Sequence, residues 1–179
     1  MAEYLWIFWS FSLLGWVLER LFAAVTRSPR RRRRCLLLLP LCPVYGLGMA
    51  AVLALPPSLR SGWPLYLWGG LTATSVEYIY HWWGETFLGV SFWDYTGVFG
   101  NFRGRVCLPF SLAWGLLLFP AVYLVTPPVL ALADRVPVGV TWWLLLAFTA
   151  DAVCSLRFLA VTHDLEALRA VIWPVSADR

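Results

Sequence analysis

The chain has 179 residues, of which 60% are hydrophobic, 17% aromatic and 13% charged, and its mean hydropathy is +0.70. Soluble domains carry about 25% charged and 45–50% apolar residues. This composition therefore excludes an ordinary soluble enzyme, a disordered tail and a nucleic-acid module. The formal net charge of +4 arises from 14 arginines, with no lysine, against 10 acidic residues, and five of the arginines form one run, Arg30 to Arg34. Between apolar segments of spanning length, such a run is typical of a topology signal.

Apolar segments of about 20 residues predict membrane-spanning helices, because the hydrocarbon core of a bilayer is about 30 Å thick. Five such segments follow one another along the chain, at residues 4–25, 36–55, 64–83, 106–133 and 138–160. Pro40 and Pro43 fall inside the second segment, so we expect that helix to begin late or to be broken near residues 39–46. The predicted fold is an all-α membrane protein with one transmembrane domain over residues 1–179, ending in a short tail over residues 161–179.

The arginines favour one orientation, since cytoplasmic loops are enriched in arginine and lysine. Two of the connections and the C-terminal tail are basic, whereas the two other connections contain one arginine each, Arg60 and Arg135. The basic regions hold Arg27 and Arg30–Arg34, Arg103 and Arg105, and Arg169 and Arg179. We therefore expect the N-terminus outside the cell and the C-terminus in the cytoplasm.

Acidic side chains inside the apolar segments indicate a special role, because each charge costs a few kcal/mol at the bilayer centre. Glu19, Glu77 and Asp151 each lie about 20 Å from the outer end of their segment at 1.5 Å per residue. We expect them at one depth in the cytoplasmic half of the membrane. The candidate counter-charges are Arg20, Arg103, Arg105 and Arg157. Two interpretations stay open: a site for a polar ligand, or a structural network in which Arg20 and Arg157 form ion pairs.

The connection at residues 84–105 has five glycines and six aromatic residues, which is unusual for a solvated loop. It predicts an interfacial or re-entrant segment, with Trp93 and Tyr95 in the headgroup layer and Asp94 and Asn101 turned toward the protein. It forms either an aromatic belt or a lid or floor for the acidic pocket. The candidate residues for binding a substrate or ion are therefore Glu19, Glu77, Glu85, Asp94, Asn101, Arg103, Arg105 and Asp151.

Metal and nucleotide chemistry receive little support from the motifs. The spacing i, i+4, i+8 places Glu77, His81 and Glu85 on one helix face, where they could bind a divalent metal ion. A hydrogen-bonded interfacial histidine is the simpler interpretation of His81. We therefore predict no metal and no cofactor. The chain has no G-x-S-x-G, Walker A or H-E-x-x-H motif. We therefore assign no catalytic residue, and ATP hydrolysis would require another chain.

Short motifs over residues 10 to 160, in this order, resemble the ABC-transporter type IV family, the CmpB-like predicted permeases of bacteria. They are Gly15-Trp16 with Glu19, Cys42-Pro43-Val44-Tyr45-Gly46, Glu77-Tyr78 with Glu85, Trp93-Asp94-Tyr95, Asn101 with Gly104-Arg105-Val106-Cys107-Leu108, Ser111, and Trp114-Gly115. The chain departs from the family pattern at His81, where the family has a glycine, and at Leu39-Pro40, where it has Gly-Pro. The resemblance implies a multi-pass permease of the bacterial plasma membrane.

Three functions stay open. The first is a transporter permease component, working as a homo-oligomer or with a partner membrane subunit and a separate ATPase subunit, in which Glu19, Glu77 and Asp151 carry a cation, a proton or an amine. The second is a non-catalytic module that binds membrane lipids or a partner. The third is an intramembrane enzyme for a lipid substrate, in which Arg103 and Arg105 hold a phosphate and Glu77, Glu85 or Asp94 is the general base.

Overall fold

The computed structural model describes residues 2–26 and 35–170, so the basic run Arg30–Arg34 lies outside the described residues. Its helices and strands, in chain order, are α1 (Ala2–Thr26), α2 (Pro43–Leu53), α3 (Gly62–Pro64), α4 (Gly70–Trp83), β1 (Asn101–Phe102), β2 (Val106–Cys107), α5 (Leu108–Pro120), α6 (Thr126–Ala133), α7 (Val138–Thr162) and α8 (Leu165–Ala170). A 3₁₀ turn covers Pro57–Leu59, and π-helical turns cover Leu65–Gly69, Gly84–Leu88 and Ala121–Val125. The all-α fold class is confirmed, and the two antiparallel strands are only two residues long each.

Among the described residues, three helices are long and apolar enough to cross a membrane: Ala2–Val25, Leu108–Ala133 and Val138–Thr162. The π-helical turns do not interrupt their helices, so residues 62–88 and 108–133 each form one continuous helix. Only 11% of the most apolar stretch of α7 is buried inside the protein. The outer surface of α7 is therefore available to lipid or to another protein. The number of membrane crossings stays a prediction.

The second apolar segment becomes helical late, as the prolines predicted. Residues 35–42 are not helical, and α2 begins at Pro43, where proline is tolerated because the first residue of a helix needs no amide donor. With 11 residues, α2 is about 16 Å long. The backbone ahead of it is attached to α1, because the Cys42 amide donates to the Ser12 carbonyl at 2.8 Å.

The helices pack in a chain of neighbours: α1 lies along α2, α2 contacts α4, and α4 contacts α5. Small residues allow α4 and α5 to approach closely, since a methyl group added at Gly70 would lie 3.2 Å from the Cα atom of Gly115. The helix over residues 62–88 extends past the predicted end at residue 83. It ends where Gly89 adopts a φ of +66°, the left-handed conformation that glycine allows at a helix C-terminus.

The segment after this helix packs against the protein, so the prediction that the rings of Trp93 and Tyr95 face the headgroup layer is wrong. Their side chains are only 4% and 1% exposed. The inward orientation expected for Asp94 and Asn101 is also wrong, because both are exposed. Their side chains bond to nearby backbone in turns, with Asp94 accepting from the Thr96 amide at 2.8 Å. Polar turn residues therefore stay at the surface while the aromatic rings fill the core.

Candidate binding site

Glu77 is a buried carboxylate held by two aromatic hydrogen-bond donors. It lies on α4 and is 1% exposed. The indole Nε1 of Trp114, from α5, donates to its Oε2 at 2.8 Å, and the hydroxyl of Tyr95 donates to its Oε1 at 3.2 Å. Because Tyr95 belongs to the segment that folds back after α4, this segment supplies part of the wall around the carboxylate.

Glu19, on α1, is a second buried carboxylate, and a tyrosine connects it to the ring of Trp114. The hydroxyl of Tyr45, on α2, donates a hydrogen bond to Glu19. The Tyr45 ring meets the Trp114 ring edge-to-face, with centroids 5.0 Å apart. Gly15 makes room for Tyr45, since a methyl group at this position would overlap the tyrosine ring. Glu19 and Glu77 are thus joined through two aromatic side chains.

A cavity of about 210 Å³ lies among these groups, lined by Glu19, Tyr45, Tyr95 and Trp114 together with apolar side chains. A larger cavity of about 320 Å³ adjoins it and is almost entirely apolar. Leu18, Tyr45, Trp114 and Leu117 line both cavities. A carboxylate beside aromatic faces is an arrangement that attracts cations, because the faces of the rings are negatively polarised.

A separate ion pair lies at the C-terminal end of the helix over residues 62–88. The Nε atom of Arg105 donates to Glu85 Oε2 at 2.7 Å, and another of its nitrogens donates to the Tyr78 hydroxyl at 2.8 Å. Loss of solvent lowers the pKa of Arg105, but the bonds to Glu85 and Tyr78 more than offset this and raise the pKa above its usual value. Arg105 therefore stays charged and attaches the hairpin to the helix.

His81 contacts Glu85 one turn further on, as the i, i+4 spacing predicts. Its Nε2 lies 3.1 Å from Glu85 Oε1 and 3.3 Å from the Ser91 hydroxyl. Glu77, by contrast, bonds to the aromatic donors described above. Within residues 2–26 and 35–170, no group of three or more metal-ligating side chains could hold an ion.

Asp151 bonds to the non-helical backbone ahead of α2. Its two carboxylate oxygens accept the amides of Leu38 and Leu39 at 3.1 and 2.8 Å, and the Ser155 hydroxyl donates to one of them at 2.9 Å. Asp151 lines neither cavity near Glu19 and Glu77. Its carboxylate therefore satisfies backbone groups that no helix pairs.

The remaining candidates lie at the protein surface. Hydrogen bonds from the Thr96 side chain and backbone lower the pKa of Asp94 below its usual value of 3.8. Asn101 bonds to the backbone of its own turn, and Arg103 is exposed next to it with a φ of +54°. Two further arginines are exposed, Arg20 with its guanidinium 4.9 Å from the Trp16 ring and Arg157 on α7.

The family described as Putative ABC-transporter type IV matches residues 6–156 of the chain. The chain belongs to this family. No curated protein and no solved structure matches it significantly. Membership and the apolar helices together identify a membrane protein of ABC-transporter type, and they confirm the resemblance drawn from the sequence motifs.

The sequence did not predict the aromatic donors as part of the site. Tyr45 and Trp114 join Glu19 to Glu77, and Tyr78 bonds Arg105, yet only charged residues and one asparagine were candidates. A sequence signal for these residues was present, because Tyr45, Tyr78 and Trp114 all occur within the motifs shared with the family. Motif residues from four parts of the chain, Glu19, Tyr45, Tyr95 and Trp114, thus line one cavity.

Proposed function

We propose that the chain is the membrane-embedded component of a transporter, in which Glu19 and Glu77 hold a small cation or a proton during transport. The observation that carries this proposal is the pairing of two buried carboxylates from different helices through Tyr45 and Trp114, beside a cavity of about 210 Å³. Ionisable groups are costly in a bilayer and are typical of ion pathways there.

The late start of α2 supports the same proposal. Transporters often form binding sites from interrupted helices, whose free backbone groups and side chains line a cavity. Here the interruption at residues 35–42 directly precedes the helix that carries Tyr45. In the proposal, the site lies in the cytoplasmic half of the membrane of a bacterial cell, with the N-terminus outside.

The proposed transporter needs further subunits. Because the chain has no nucleotide-binding motif, the energy would come from a separate ATPase subunit, as the family description suggests. The exposed face of α7, which includes Trp142 and Trp143 at 61% and 73% exposure, offers a surface for lipid, a second copy or a partner membrane subunit.

A second candidate function is a non-catalytic module that binds lipid or a partner. The observation that favours it is that several of the charges serve structural contacts: Asp151 bonds backbone amides, and Glu85 pairs with Arg105. The enzyme hypothesis gains no comparable support, since Arg105 is paired whereas Arg103 is exposed at the turn of the hairpin.

Transport can be measured in membrane vesicles from a deletion strain that expresses the full-length chain, with ¹⁴C-methylammonium and ⁸⁶Rb⁺ as probes. We expect Glu77→Gln to reduce uptake of the transported probe at least about tenfold, because it removes the charge from the buried site. The matched control is Glu3→Gln, since Glu3 is exposed in the first turn of α1. Full uptake by a folded Glu77→Gln protein would refute the proposal. So would equal uptake of both probes, together with equal proton movement measured with a pH-sensitive dye, with and without the chain.

A further inference from the structure

The apolar cavity of about 320 Å³ lies directly beside the acidic one, and four side chains form the wall between them. Its volume is at the lower end of the range for ligand-binding cavities, about 300–1,000 Å³. Helices α1, α2 and α5 supply most of its lining, which is almost entirely carbon. An apolar volume therefore adjoins the carboxylate of Glu19 and its aromatic neighbours.

The larger cavity is accessible from the outer surface of the helices. Four leucines that line this cavity are 46%, 41%, 59% and 44% exposed, in the order Leu14, Leu18, Leu21 and Leu117. In a membrane this surface meets lipid, so an apolar chain can enter the cavity sideways from the bilayer. Leu18 and Leu117 also belong to the shared wall, and leucine side chains change rotamer readily.

We infer that the two cavities together bind a single-chain amphiphile with a cationic head, of the long-chain alkylamine class. The hydrocarbon chain occupies the apolar cavity, and the ammonium group lies beside Glu19 and the rings of Tyr45 and Trp114. The charge of the carboxylate and the faces of the rings both select a cation over an anion. This inference rests on the proposed function, because it names the class of substrate that the Glu19 site accepts.

Gly48 provides a direct test of the apolar cavity. It lines that cavity on α2, and a methyl group added there meets no atom within 4 Å. Gly48→Leu therefore places four carbon atoms where the hydrocarbon chain would lie. Gly139→Leu is the matched control, since Gly139 also has open space around its Cα and lies on α7, away from both cavities.

Binding can be measured by native mass spectrometry of the full-length protein in lipid-free peptidiscs, so that the amine is transferred from water, with titration of hexylamine, octylamine, decylamine and dodecylamine. We expect the affinity of the wild-type protein to rise about fourfold per methylene group until the cavity is full. In Gly48→Leu the rise should stop about four carbons earlier, while Gly139→Leu behaves as wild type. Glu19→Gln should weaken every amine about 10- to 100-fold but keep the dependence on chain length.

Two results would overturn the inference. One is the same dependence on chain length in Gly48→Leu and Gly139→Leu, with both proteins folded by circular dichroism. The other is equal binding of decanoate and decylamine, which would indicate a site for any lipid chain without selection of the head group. Alkylamine binding without uptake of methylammonium, Rb⁺ or ¹⁴C-decylamine in the vesicle assay would refute the proposed function alone. Uptake of methylammonium without alkylamine binding would refute this inference alone.

Discussion

Asp151→Ala tests how the non-helical backbone ahead of α2 is held in place. Asp151 accepts the amides of Leu38 and Leu39 at 3.1 and 2.8 Å, and these amides have no helical partner because α2 begins only at Pro43. In a bilayer, such groups must be satisfied by the protein itself or by trapped water. Removal of the carboxylate takes away their acceptor, so we expect the variant to be less stable than the wild type.

The size of the effect follows from the number of amides affected. A buried polar group without a partner costs about 1–3 kcal/mol, so the loss of an acceptor for two amides predicts a decrease of about 2–6 kcal/mol in the free energy of unfolding. Where water reaches the amide of Leu39, the decrease falls to about 1–3 kcal/mol. Ser155→Ala removes a donor and leaves both amides bonded, so it should cost only about 0.5–1.5 kcal/mol.

Stability can be measured from the unfolding of the full-length protein in nanodiscs, and hydrogen exchange of residues 36–42 shows where the structure loosens. The control is Asp134→Ala, because Asp134 is an exposed carboxylate just after α6. We expect faster exchange of the amides of Leu38 and Leu39 in Asp151→Ala alone. Equal stability of the two variants, with unchanged exchange at these amides, would refute a structural role for Asp151.

Two further predictions concern the aromatic residues around the site. Trp114→Phe should lower the unfolding temperature more than Tyr95→Phe. Both side chains donate to the carboxylate of Glu77, but the bond from the indole is shorter, 2.8 against 3.2 Å. The reverse order in a thermal unfolding measurement would contradict this prediction. Gly15→Ala should displace the ring of Tyr45 and weaken transport of the probe cation. Gly139 has open space around it, so Gly139→Ala should leave transport unchanged. Equal uptake by the two alanine variants would count against the role of Gly15.

The sequence motifs named the charged candidates but did not show which contacts each of them makes. Glu19 and Glu77 meet around one pair of rings, whereas Asp151 bonds the backbone and Glu85 pairs with Arg105. Position along a segment gives the approximate depth of a side chain in the membrane. It does not give the direction in which that side chain points around the helix, and this direction decides which neighbours it contacts.

Composition and hydrophobic runs by themselves determined that the chain is helical and belongs in a membrane, because a long apolar segment can satisfy its backbone in lipid only as a helix. The prolines determined that α2 begins late, since their rings and missing amides prevent a regular helix. Only the tertiary structure decided that Trp93 and Tyr95 are buried in the protein. Their burial depends on contacts between residues far apart in the chain, such as the bond from Tyr95 to Glu77, and local sequence does not specify such contacts.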